Sequence, residues 1–157
     1  MAKNDKLRKI AEKQARGNIA DLNVTLREAA ILGIDDDKNT EQPYVSLKYY
    51  WSEYQCFSAW TPDKLRAFSA FCKKLGQMTW TDIYRTAGKA GDKVGFGYTT
   101  HKDISKLPKT AFMGKISDDL TWFELRVDQE SRVHGFRAKS AFFLVFLDQE
   151  HEVYPRA

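Results

Sequence analysis

From Tyr44 the chain alternates. Val45, Leu47, Tyr49 and Trp51 fall on one side of an extended segment, and aromatic residues continue through Tyr54, Phe57 and Trp60. A period of two held over this many positions predicts a long strand, bent near Ser52-Glu53. Thr61-Pro-Asp63 then supplies an N-cap, a proline at the first helical position and an acid in the first turn. Leu65, Phe68, Cys72 and Leu75 follow at spacings of three and four, so a helix is expected, with Gly76 as its stop. Thr79-Trp-Thr-Asp82 opens a shorter helix that carries Trp80, Ile83, Tyr84 and Ala87 and ends at Gly88.

The C-terminal third returns to alternation. In residues 121–128, Phe123, Leu125 and Val127 interleave with Glu124 and Arg126, as in a strand with one buried face. Asp128-Gln-Glu-Ser131 reads as a turn, residues 132–137 as a second strand, and Arg137-Ala-Lys-Ser140 as another turn. The third strand, Ala141-Phe-Phe-Leu-Val-Phe-Leu147, is apolar on both faces and is therefore placed inside the sheet, covered on both sides. Asp148-Gln-Glu-His-Glu-Val-Tyr154 leaves it as a polar tail. Between the helices and these strands, Gly88, Gly91, Gly95 and Gly97 lack the Gly-Lys-Ser/Thr ending of a phosphate loop, so the segment reads as a flexible loop.

The first 43 residues differ in character. Residues 3–16 set six Lys and Arg around a thin stripe of Leu7, Ile10 and Ala11, which predicts a basic helix. A second helix starts at the capping-box spacing Thr25-Leu-Arg-Glu28, with Gly33 as its stop. The polar run Asp35-Asp-Asp-Lys-Asn-Thr-Glu-Gln-Pro43 is the linker. The expected organisation is a basic helical extension and linker over 1–43 and an α+β domain over 44–157, a small antiparallel β-sheet packed against two helices.

Composition narrows the class. With 157 residues, 43% hydrophobic and 13% aromatic, the chain can bury one core and carry an appendage, but not a second full domain. It has no run of about 18 apolar residues, and its start lacks the apolar core of a signal peptide, so no membrane and a cytoplasmic location are expected. Cys56 and Cys72 form no CxxC or Cys/His cluster and read as reduced packing residues. The net charge of +4 is unevenly spread: residues 61–115 carry eleven Lys and Arg against four Asp and Glu, whereas residues 116–157 carry five against eight. A positive middle segment attracts phosphate backbones, or it is a solvated lysine surface.

Three stretches carry a family resemblance. Phe123-Glu-Leu-Arg-Val127, Ser131-Arg-Val-His-Gly-Phe136, and the apolar strand followed by His151-Glu-Val-Tyr154 resemble the "leu-arg-val", "tyr-arg-val-x-tyr" and closing "his…val-tyr" run of the RelE/ParE toxin superfamily. The order strand, two helices, three antiparallel strands is similar too, over roughly residues 44–154. The resemblance implies a toxin of a toxin–antitoxin pair. The commonest activity of such toxins is metal-independent cleavage of messenger RNA at the ribosome: the 2′-hydroxyl attacks the neighbouring phosphate, helped by a general base and cationic side chains. It also implies an antitoxin partner and no cofactor.

On that basis the candidate catalytic residues are Arg126, Arg132, His134, Arg137, His151 and Tyr154. Arg126 and Arg132 read either as guanidinium forks for phosphate or as cross-strand partners of Glu124 or Glu130. His134, two residues from Arg132 and on the same strand face, reads as a base or acid, or as a histidine hydrogen-bonded within the sheet. His151 and Tyr154 suit proton transfer and base stacking, with structural capping by Tyr154 as the alternative. Lys89, Lys93, Lys102, Lys106, Lys109 and Lys115 are the candidate nucleic-acid contacts. Asp148-x-x-His151 with His134 lacks a fourth ligand and a metal-site spacing, so no metal is expected. Because residues 116–157 are net acidic and Glu150 and Glu152 flank His151, a cationic groove requires the lysines of residues 61–115 to fold across the sheet. The competing functions are a non-enzymatic inhibitor on the same fold, acting on a protein such as a topoisomerase, and a module that binds nucleic acid or protein without chemistry.

Overall fold

The computed structural model describes residues 42–85, 95–117 and 119–155. The helices expected at 3–16 and from Thr25, most of the linker, and Lys89 and Lys93 lie outside them. The rest is an α+β fold built on one five-stranded mixed sheet. Its strands are β1 (Tyr44–Ser46), β2 (Thr99–Thr100), β3 (Trp122–Arg126), β4 (Arg132–Ala138) and β5 (Ala141–Asp148), and its helices are α1 (Pro62–Leu75) and α2 (Trp80–Arg85). The sheet order is β1-β5-β4-β3-β2; β1 runs parallel to β5 and the other neighbours are antiparallel.

Local chemistry accounts for the elements. Thr61 caps α1 by accepting from the Lys64 N–H at 3.4 Å, Pro62 opens the helix, and Gly76 closes it by donating its N–H to the Cys72 carbonyl. Gly76 does so with a right-handed φ of −67°, not the left-handed turn that often follows a helix. The buried stripe of α1 is Phe71 and Leu75 with Phe68 beside them, while Leu65 is exposed at 37% and Cys72 is exposed. The face is therefore rotated from the expected one, because burying the Phe71 ring removes more apolar surface from water than burying Cys72. At α2, Thr79 and Asp82 cap each other: the Thr79 N–H donates to the Asp82 carboxylate at 3.0 Å and the Asp82 N–H to the Thr79 hydroxyl at 3.3 Å.

The three C-terminal strands lie where the alternation placed them. Asp128 builds the β3–β4 turn by accepting from the N–H groups of Glu130 and Ser131 at 2.9 and 2.7 Å. The β4–β5 turn is only Lys139-Ser140, with Lys139 at a φ of 53°. The long strand expected from Tyr44 stops at Ser46. The chain then turns, and the Trp51 N–H donates to the Val145 carbonyl at 2.9 Å.

Both faces of the sheet are covered. Phe123, Leu125, Val133, Phe142 and Leu144 pack against Phe71, Leu75, Trp80 and Ile83 of the helices. Trp122, Phe136, Phe143 and Val145 pack on the other side against Leu107 and Val153, with Tyr49, Trp51 and Phe112 at the margin. One irregularity interrupts the pairing: His134 lies opposite Phe146 but Gly135 opposite Leu144, so Val145 is an extra residue in β5. The faces of β5 switch there. Phe142 and Leu144 point to the helices, whereas Phe143, Val145 and then Phe146 pack on the far side. Asp148 follows Phe146 in phase.

Gly135 sits beside this irregularity, where any Cβ would overlap the Phe143 carbonyl oxygen, a backbone atom. Gly135→Ala is expected to destabilise the domain by about 3 kcal/mol or prevent folding, because the sheet cannot yield without breaking the β4–β5 pairing. A urea midpoint equal to that of the parent would show that the strands separate easily here.

Candidate functional site: a histidine relay on a buried carboxylate

The switch of face in β5 brings Asp148 beside His134, and both are fully buried. His134 Nε2 lies 2.7 Å from Asp148 Oδ2. The carboxylate also accepts from the Glu152 N–H at 2.7 Å and the Val153 N–H at 3.1 Å. Burial alone would raise the Asp148 carboxyl. The hydrogen bond and charge of His134 and the two backbone N–H groups outweigh it and hold the group below the ordinary carboxylate range.

His101, just past β2, is fixed by its N–H donating to the Trp122 carbonyl at 2.8 Å. Its Nε2 lies 2.8 Å from His134 Nδ1. The protons follow from Asp148 outward. An ionised carboxylate only accepts, so His134 Nε2 carries a proton; in the tautomer in which His134 Nδ1 accepts, His101 Nε2 carries the next and His101 Nδ1 keeps a bare lone pair. That nitrogen is buried and has no hydrogen-bond partner, although it belongs to a residue lining an open cleft of about 440 Å³. His101 is pushed down to about 3, by burial first and then by neighbouring His134 and His151, with Asp148 opposing. It is therefore neutral at pH 7.

The tail closes over this chain. Tyr154 stacks on His101 with ring centroids 4.1 Å apart, and its hydroxyl accepts from the Asp103 N–H at 3.1 Å. Lys106 Nζ lies 5.9 Å from the Tyr154 ring centroid. His151, at a φ of 60°, places Nε2 2.9 Å from Glu124 Oε2, and Glu124 stands directly opposite His134 across β3 and β4. All three histidines of the chain meet here. Lys102, Lys106, Thr99 and Thr100 line the same cleft.

Of the residues singled out from sequence, His134, His151 and Tyr154 converge. The arginines do not join them. Arg137 is fully buried on the helix side; its guanidinium lies 4.4 Å from the Trp80 ring centroid, with Nη1 donating to the Tyr84 hydroxyl at 2.9 Å and Nε to the Lys139 carbonyl. Arg132 donates Nη1 to the carbonyls of Asp128 and Ser131 at 2.9 and 3.0 Å, and with Arg126 it lines a different cleft. Their anticipated carboxylates are engaged elsewhere, Glu124 with His151 and Glu130 with Lys64 at 2.8 Å. Tyr154 has His101 against its ring and Lys106 near it, so in this arrangement its face is not offered to a base. Lys102 and Lys106 reach the histidine cleft; Lys109 lines a separate hollow with Leu107 and Met113, and Lys115 is exposed on the turn Met113–Lys115.

His101 is the member that the sequence did not single out; Asp148 enters the sequence reading only in the rejected metal site with His134 and His151, and Glu124 only as a partner for an arginine. His101 sits in a Gly- and Lys-rich stretch read as loop, and Asp148 in a tail read as polar. Among the described residues, no group of three or more His, Cys, Asp and Glu is arranged to hold a metal ion, and no helix is long and apolar enough to cross a membrane. No protein-family model, curated protein or solved structure matches the chain.

The buried neutral His101 makes stability depend on pH. An ordinary histidine titrates near 6.5 and the folded His101 near 3, so between these values the unfolded chain binds a proton that the folded chain refuses. Stability is therefore lost as pH falls through that window, by about 2 kcal/mol between pH 7 and pH 5. Asp148 acts lower: its contribution is present above the unfolded value near 3.8 and is lost as pH falls through the depressed folded one. Urea midpoints at pH 7 and pH 5 measure the first effect, and His101→Gln should flatten the profile. An equally steep profile in that variant would place the titration elsewhere.

Proposed function

We propose that this protein is a metal-independent endoribonuclease of the RelE/ParE type, with His101 rather than the arginines at its chemical centre. The observation that carries this reading is the Asp148–His134–His101 chain ending in a buried, unpartnered Nδ1 beside a cleft lined by Lys102 and Lys106. The order strand, two helices and, after the two-residue β2, three antiparallel strands supports the kinship.

The chemistry follows from the proton arrangement. His101 Nδ1 takes the proton of a ribose 2′-hydroxyl, the 2′-oxygen bonds to phosphorus, and the 5′-oxygen leaves, protonated by solvent. As Nδ1 gains its proton, His101 Nε2 passes one to His134 Nδ1, and the resulting imidazolium faces Asp148. The positive charge thus comes to rest against a carboxylate two groups away from the phosphate. A relay of this kind lets a base that resists protonation alone accept a proton during the reaction. Lys102 and Lys106 supply charge to the phosphorane oxygens. Tyr154 stacks on the His101 ring and Nδ1 is buried, so the ribose reaches it only as the surrounding groups move aside. Ribosome-bound messenger RNA as substrate, an antitoxin as partner and a cytoplasmic location complete the reading.

The cover formed by Tyr154 also favours a second reading, in which the cluster anchors the tail and the protein binds RNA or a protein target without cutting. One assay separates them. End-labelled single-stranded RNA, with and without ribosomes and with EDTA present, should yield products ending in 2′,3′-cyclic phosphate, and 2′-deoxy RNA should remain whole. His101→Gln and Asp148→Asn should each slow cleavage by about 100-fold or more. Intact RNA with the parent chain, or equal cleavage by His101→Gln, rejects the nuclease reading.

A further inference from the structure

The tail after β5 is held at the histidine cleft in two different ways. Up to Val153 it is anchored. Asp148, fully buried, accepts from the N–H groups of Glu152 and Val153, and the Val153 side chain is itself buried against the aromatic layer. Pulling these residues away would deprive a buried carboxylate of two of its donors, a cost that keeps them in place. His151, at a φ of 60°, takes a left-handed turn within this anchored stretch, and its ring meets Glu124 of β3.

Beyond Val153 the hold is of another kind. Tyr154 is half-buried and Pro155 is exposed, and both line the open cleft of about 440 Å³. The Tyr154 ring lies on the His101 imidazole at 4.1 Å with an interplanar angle of 20°. Its hydroxyl accepts from the Asp103 N–H at 3.1 Å, and Lys106 Nζ stands 5.9 Å from its centroid. Asp103 and Lys106 are exposed residues that turn to water if the ring leaves, and Pro155 has no N–H to lose. Releasing Tyr154 therefore orphans no buried charge.

A ring stacked on an imidazole beside an open cleft, and fastened by contacts that water replaces, has the properties of a lid. The imidazole beneath it is the one whose Nδ1 is buried and unpartnered. We propose that Tyr154, with Pro155, is a self-inhibitory lid on His101, closed in this structure and opened by rotation of the chain between Val153 and Tyr154. The sign of its effect is opposite to the catalytic and base-stacking roles expected of Tyr154 from the sequence: removing the ring exposes the histidine. That the exposed histidine then cleaves RNA faster rests on the nuclease reading above; that it becomes accessible does not.

The test is the rate at which diethyl pyrocarbonate, which acylates neutral imidazole nitrogens, modifies each histidine of the full chain at pH 7, followed site by site by mass spectrometry. His134, fully buried with both ring nitrogens hydrogen-bonded, is the internal control and should stay unmodified. Tyr154→Ala should raise the His101 rate by about tenfold or more, while the Glu152 and Val153 amides stay as protected from hydrogen exchange as in the parent. Tyr154→Phe keeps the ring and loses the bond to Asp103, so a rise of about threefold is expected. Should circular dichroism show that the alanine variant does not fold, the phenylalanine variant decides. An unchanged His101 rate in the deciding variant overturns the lid. A rise accompanied by lost Val153 protection overturns the hinge, because the whole tail has then come away. Cleavage of end-labelled RNA is measured beside it. Faster cleavage by Tyr154→Ala than by the parent supports lid and nuclease together, whereas slower cleavage despite a reactive His101 makes Tyr154 a participant in the reaction and overturns the lid. A reactive His101 with RNA intact in parent and variant keeps the lid and removes the nuclease.

Discussion

A carboxylate with no exposure to water must be supplied with donors, and the Asp148 site is organised around that requirement. Two donors come from its own tail, the N–H groups of Glu152 and Val153, and the third is His134 Nε2. The first two dictate where the chain goes after β5, and with it the positions of His151 and Tyr154. The third places a proton on His134 Nε2 and orients that ring toward His101. A single buried charge thereby sets a backbone path and the orientation of a histidine.

That charge reaches its place because β5 gains a residue at Val145. With unbroken alternation Asp148 would share the face of Phe142 and Leu144, beneath the helices, among apolar side chains that could not satisfy it. The irregularity is held from both sides: the Trp51 N–H takes the Val145 carbonyl, and Gly135 leaves room for the Phe143 carbonyl on the facing strand. The faces then divide the polar burden. The helix side buries one cation, Arg137, against Trp80 and Tyr84, tying α2 to the β4–β5 hairpin. The other side carries the histidine row at one end of an otherwise aromatic layer.

The fold was legible where one residue type forces one geometry. Alternation over residues 121–128, the Asp128 turn and the Thr61-Pro62 cap each correspond to an observed element. Legibility failed where several geometries suit the same residues. In the run Ala141–Asp148 nearly every side chain is apolar, so an inserted residue leaves no trace in the pattern, and the face of Asp148 could not be read. In α1 the choice between Phe71 and Cys72 as the inward residue depends on Phe57, Trp60 and Phe96, which lie beyond any helical window. Half of the six catalytic candidates meet because they share a face at one end of the sheet. His101 escaped notice because its partner lies 33 residues away and its own surroundings read as loop.

The separation of the arginines from the histidines bears on what the sheet edge is for. Residues 95–102 run beside β3, with Phe96 accepting from the Arg126 N–H and His101 donating to the Trp122 carbonyl. Phe96 lines the arginine cleft and His101 the histidine cleft. From Trp122 to Arg126 the strand advances by four residues, about 14 Å. The two clefts are therefore separate, with the short β2 between them. The arrangement puts the arginines and the histidines at opposite ends of one edge. The guanidinium charges thus stay away from the histidine pair, whose mutual proximity already disfavours protonation of His101.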